Sequence, residues 1–362
     1  MILLGLNLIF YILVFFSISF FYGVGRLEKT PLRYFLLLVA FLGLWLLAGL
    51  RGDVGQDTFN YAGHFYGLGN ELTYSHYFSN IEPLFSILMA VSVSIFDNVT
   101  AFYLIFSLLQ AVLLWWILKR VWHYNLFLLA YLFIFYLDFH MNVLRSGMSI
   151  LLFLLALSYA PSKLSFFLFL MSLSMHISTF ILAPFYINRM SLKFGYKIAL
   201  WVLVIFGFVA ITLVLSNAIS SKIMAYLINE SFDFRIPKVM ALIGLFGATL
   251  IFCQKKVSKE FLIVYFALLL IWVLSTGLII FTRLNMIFIL LLFFIAFENP
   301  SASIRKLYFR PTFLYALTLV LWFGIGDILS LPHEKEKRLL TGEGHPEFTF
   351  SPYSLFFESK FR

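Results

Sequence analysis

Apolar runs of about twenty residues recur along this chain from its second residue onward, and they restrict it to one environment. A bilayer core takes roughly 20 apolar residues per helical crossing. Clear runs of that kind lie at 2–22, 34–50, 100–118, 198–216, 239–254, 261–280 and 312–328. Shorter ones lie at 83–96, 125–137, 147–160, 164–175, 177–187 and 286–297. A water-soluble core cannot absorb this much apolar chain: 62% of the residues are hydrophobic and only 12% charged, against about half and a quarter in soluble domains. The expected fold is an all-α polytopic integral membrane protein with about twelve transmembrane helices. No polar linker and no internal repeat divides it, so 1–328 reads as one transmembrane domain and 329–362 as a tail.

Charge fixes the orientation. The formal net charge of +9 is scattered in short Lys/Arg runs between apolar segments, which encodes membrane topology and excludes a nucleic-acid interface. Placing 23–33, 119–124, 161–163, 188–197, 255–260 and 298–311 in the cytoplasm puts 15 of the 26 Lys and Arg inside. The same assignment leaves 14 of the 17 Asp and Glu outside. The first run has no basic residue before it and Arg26, Lys29 and Arg33 after it, so it reads as an uncleaved span that starts outside. Segment 83–96 then begins and ends on the outer side and is expected to be re-entrant or interfacial. The outer face receives a long loop (51–82), a short one (138–146), the hairpin tip at His176, a loop at 217–238, the end of span 261–280 and the tail.

Polar groups capable of chemistry gather on that outer face. Arg51, Arg145 and Arg283 each lie at a span end on the side the positive-inside bias disfavours. Three guanidiniums at a membrane–water boundary suit a phosphate-rich ligand, because Arg and phosphate form bidentate, charge-assisted hydrogen bonds. Asp53, Asp57 and Glu82 offer carboxylates for proton transfer or sugar hydroxyls. Asn142 flanks Arg145, and His176 is an ionisable group between two short apolar runs, where such groups are costly and mark sites. The aromatic residues around Tyr61 (Phe59, Phe65, Tyr66, Tyr74 and Tyr77) fit either sugar stacking or an interfacial belt. The lone Cys253 excludes a disulfide. No phosphate-cradling loop, zinc signature or nucleophile elbow is present, so neither a metal nor a cofactor is expected.

The ordered set Arg51-x-x-x-Gly55-x-Asp57-Thr58-x-x-Tyr61, Glu82-Pro83-Leu84-Phe85, Asn142-x-x-Arg145, His176-x-Ser178, Phe281-Thr282-Arg283 and Pro352-Tyr353 resembles the Wzy/EpsG-type polysaccharide polymerases of bacteria. One departure is Ser146, where that family often has Gln. The resemblance implies a glycosyltransferase of the bacterial inner membrane that works on its periplasmic face. Such enzymes join undecaprenyl-diphosphate-linked oligosaccharide repeat units, donor and acceptor alike, into O-antigen or exopolysaccharide. It implies that Arg51, Arg145 and Arg283 neutralise the diphosphate leaving group, and that His176, Asp57 or Asp53 is the base. Tyr61, Glu82 and Asn142 join the arginines as binding residues, and a chain-length regulator is the implied protein partner. Two other readings compete. A lipid-linked oligosaccharide flippase predicts charges deep in the spans and repeated halves. A membrane acyltransferase predicts a polar constellation on the cytoplasmic face.

Overall fold

The computed structural model describes residues 2–51, 57–70, 82–96, 98–121, 124–190, 262–268 and 279–298. The expected spans at 198–216, 239–254 and 312–328, the outer loop 217–238, Asp53 and the tail 329–362 lie outside the described residues. Every regular element among the described residues is helical, and four helices are long and apolar enough to cross a membrane. The chain divides into two compact units, Met1–Leu151 with Leu317–Arg362, and Leu152–Ala316.

In the first unit, α1 (Ile2–Leu27) and α2 (Leu32–Gly49) form a tight hairpin. Glu28 stabilises its turn by accepting from the backbone N–H of Lys29 (2.9 Å) and Thr30 (3.0 Å). These donors, Thr30 first, hold its carboxyl below the ordinary range. Small residues set the spacing of the pair. A Cβ at Gly43 would stand 2.8 Å from Ile18, and one at Gly25 would stand 2.9 Å from Leu37, so the backbones approach as small-residue seams allow.

Next come α3 (Thr58–Asn70), α4 (Pro83–Ile95), α5 (Val99–Leu118) and α6 (Tyr124–Tyr131), followed by a π-helical stretch, Leu132–Asn142. Part of the expected outer loop 51–82 is therefore helical, because Tyr61, Ala62 and Phe65 share one face of α3 and are buried. Helix α4 has 13 residues, roughly 20 Å at 1.5 Å per residue, short of the ~30 Å hydrocarbon core. Its Phe85 packs on Tyr61 of α3 and on Phe102 and Phe106 of α5.

The loop expected at 138–146 is not formed. The run expected at 125–137 extends over Tyr124–Asn142, 19 residues. Only Val143 separates it from α7 (Leu144–Tyr159), so the expected loop 138–146 is replaced by helix. Its polar residues are accommodated because each finds a partner: His140 Nε2 lies 3.0 Å from the Tyr131 hydroxyl, and Asn142 Nδ2 donates to Asp138 (3.2 Å).

In the second unit, α8 (Lys163–Met175) begins at Ser162, whose hydroxyl accepts from the Ser165 N–H (3.1 Å). It ends at His176, whose extended backbone (φ −159°, ψ 121°) leads into a 3-10 turn, Ile177–Leu182, and the short α9 (Ala183–Arg189). Phe169 stacks on Tyr186 at 4.3 Å. Helix α10 (Ile279–Glu298) is continuous. Arg283 thus lies within its first turns, not in a connection between a span ending at 280 and a separate run 286–297. Arg189 of α9 pairs with Glu298 of α10 at 2.6 Å and also donates to the Leu157 carbonyl at 3.2 Å.

Candidate functional site

The π-helical stretch organises one end of the first unit. Its last turn closes with Val143 N–H donating to the Asp138 carbonyl five residues back (2.7 Å). Such π-turns leave carbonyls poorly served and recur at functional sites. Gln110 of α5, wholly buried, serves them here: its Nε2 donates to the Phe139 carbonyl (2.8 Å) and, more weakly, to that of Leu144 (3.4 Å). Gly147 completes the fit, since a Cβ there would collide with the Phe139 carbonyl oxygen.

Around this stretch the polar residues of distant segments meet. Arg51, only 1% exposed, donates from Nη1 to the His140 carbonyl (2.6 Å) and lies over the Tyr103 ring at 4.3 Å. The Tyr103 hydroxyl in turn donates to the Thr58 carbonyl (3.0 Å). Asp57 is fixed through its backbone N–H, which donates to Asn142 Oδ1 (2.9 Å). Arg145, at the start of α7, reaches Glu82 with Nη1···Oε2 of 2.7 Å, and the two side chains keep 27% and 14% of their exposure. The same guanidinium lies over Phe85 at 5.5 Å and hydrogen-bonds the Tyr61 hydroxyl. Burial pushes the Tyr61 phenol above its ordinary value; the Arg145 charge opposes that shift and Asp57 adds to it.

Arg51, Asp57, Tyr61, Glu82, Asn142 and Arg145 are therefore one cluster, assembled from residues up to 94 positions apart. Its partly exposed cationic group is Arg145, while Arg51 is buried in the packing. Tyr61 and Phe65 are buried and Tyr66 is exposed, so the first two aromatics serve packing first. His176 and Arg283 belong to the second unit. The side chain of Arg283, like Asp53 as a whole, lies outside the described residues. Among the described residues, no three His, Cys, Asp or Glu side chains gather as metal ligands. Sequence alone does not single out Gln110, Tyr103 or the His140 backbone. The only signal for the first was an amide within an apolar span, where a polar group must be partnered.

Long apolar helices, small-residue seams and a polar cluster at one bundle end define a helical integral membrane protein with a cationic, carboxylate-bearing site. The chain belongs to the EpsG family, whose model matches residues 34–333, and is thereby a membrane protein of polysaccharide-polymerase type. No curated protein and no solved structure matches it.

Proposed function

We propose that the protein joins undecaprenyl-diphosphate-linked oligosaccharide repeat units into a long glycan at the periplasmic face of the bacterial inner membrane. The observation that carries this reading is Arg145. It is a guanidinium held by a carboxylate, a phenol and an aromatic face, yet still 27% exposed. Such a group is preorganised to receive an oxyanion, and preorganised donors are the largest common source of rate enhancement. Arg51 adds positive potential and holds the His140 carbonyl, while Arg283, whose side chain lies outside the described residues, is the third arginine that the family resemblance implies for the diphosphate. His176, Asp57 and Asp53 are the bases that the family resemblance implies for the acceptor hydroxyl, and Glu82 is a further carboxylate, placed beside Arg145. The transfer runs without a metal, and a chain-length regulator sets product size.

The topology belongs to the same proposal: about twelve crossings in one domain over 1–328, both ends outside, and an outer tail at 329–362. Pairings within each unit support the sides assigned to the described segments. Arg26 lies over Tyr124 at 4.9 Å and Arg189 pairs with Glu298; each pair joins segments assigned to the cytoplasm. Arg51–His140, Asp57–Asn142 and Glu82–Arg145 join segments assigned outside.

Replacement of Arg145 or Arg283 by Ala in the native host is expected to collapse long glycan chains to single exported repeat units on a gel. Normal ladders from both variants sink the proposal. Accumulation of unexported units on the cytoplasmic side marks a flippase instead. Extension of a defined undecaprenyl-diphosphate repeat unit by purified protein, with and without EDTA, tests the donor and the metal independence.

A further inference from the structure

We propose that Glu82 is the base of the glycosyl transfer and is released for that task by the donor: in the free protein its carboxylate occupies the place on Arg145 that a donor phosphate takes. This deepens the polymerase reading and rests on it.

Geometry supplies the case. Glu82 stands at the start of α4 with extended backbone (φ −61°, ψ 136°), directly before Pro83, and its side chain makes no capping bond to its own helix. It turns to Arg145 instead, at 2.7 Å. Arg145 does not depend on that contact for its position, because the Tyr61 hydroxyl and the Phe85 ring also hold the guanidinium. Carboxylate and phosphate oxygens present the same bidentate target to a guanidinium, so the two anions compete for one fork. Both side chains keep part of their exposure. Arg51 differs, since it is only 1% exposed and its Nη1 is given to the His140 carbonyl.

Displacement changes what the carboxylate can do. Paired with Arg145 it is a poor proton acceptor. Once a diphosphate holds the guanidinium, Glu82 loses its cation and gains an anionic neighbour, and both changes strengthen its hold on a proton. The acceptor O–H bond then breaks with its proton passing to Glu82, and the acceptor oxygen forms its bond to the anomeric carbon of the donor. The bond from that carbon to the diphosphate oxygen breaks, and the electron pair leaves on polyprenyl diphosphate beside Arg145. A site that is basic only when occupied by donor also avoids activating an acceptor with nothing to attack.

The test uses the full-length protein in detergent, titrated with inorganic pyrophosphate, and the same variants in the native host. Glu82→Gln keeps an oxygen for Arg145 but removes both the competing charge and the base. It is expected to bind pyrophosphate about 3- to 5-fold more tightly, the scale of one partly exposed ion pair, while glycan polymerisation falls about 100-fold or more. Glu82→Asp, which keeps a carboxylate, is expected to recover part of the ladder. Loss of both pyrophosphate binding and polymer in Glu82→Gln assigns Glu82 a structural role and overturns the proposal. Normal ladders in Glu82→Gln overturn it as well, and they leave the polymerase reading standing if Arg145→Ala loses its long chains.

Discussion

Arg51 and His140, 89 residues apart, meet through a side-chain-to-backbone hydrogen bond of 2.6 Å in the buried interior of the first unit. The partner is the carbonyl of His140, not its imidazole, and this carbonyl belongs to a π-helical stretch. Arg51 thereby ties the end of α2 to the segment that carries Asn142 and leads into Arg145. Arg51→Ala is expected to lower stability by about 1–3 kcal/mol, the usual cost of stranding a buried polar partner. Arg145→Lys is expected to spare stability and weaken polymerisation, since an ammonium lacks the planar fork. Denaturation of both variants in detergent, beside their glycan ladders, checks the contrast.

Glycine substitutions separate the π-turn from ordinary helix. Gly147→Ala is expected to be strongly destabilising, because the new methyl group meets the Phe139 backbone oxygen and backbone cannot swing aside. Gly63→Ala, in open space on α3, is expected to be neutral or to stabilise by about 0.5–1 kcal/mol through helix propensity. Thermal unfolding of the two variants side by side measures the difference.

Gln110→Leu removes the buried donor to the Phe139 carbonyl. A loss of about 1–3 kcal/mol is expected, together with shortened glycan, because Asn142 lies in that turn and Arg145 two residues beyond it. Unchanged stability would show that the turn satisfies its carbonyls by other means.

The Arg189–Glu298 pair, with side chains 14% and 11% exposed, is expected to show a coupling of about 1–3 kcal/mol in a double-mutant cycle of Arg189→Ala and Glu298→Ala. That range lies above exposed pairs and below fully buried ones. A coupling near zero would assign the contact to solvent-screened geometry.

Much of this was legible in the residues themselves. Helix as the regular element, and three of the four described helices long enough to cross a membrane, followed from apolar run length, because a bilayer leaves the backbone no alternative to internal hydrogen bonding. Arg51, Asp57, Tyr61, Glu82, Asn142 and Arg145 were legible as candidates, because charged and amide groups next to apolar spans demand a reason. Hydropathy stopped the fourth long helix at residue 137, since it counts Asp138, His140 and Asn142 as polar without knowing their partners.

The tertiary structure alone decided which of those candidates meet and how deeply each is buried. The sequence treats Arg51 and Arg145 as equals, and burial separates them: one is sealed against Tyr103 and the His140 carbonyl, the other is held at an exposed edge. Gln110 and Gly147 carry no motif, yet they shape the turn on which the cluster is built. Sequence by itself determined the solvent this chain must live in, because transfer free energy sums over residues regardless of their order in space. Which polar groups meet depends on contacts between residues tens of positions apart, and only the packed chain brings those into register.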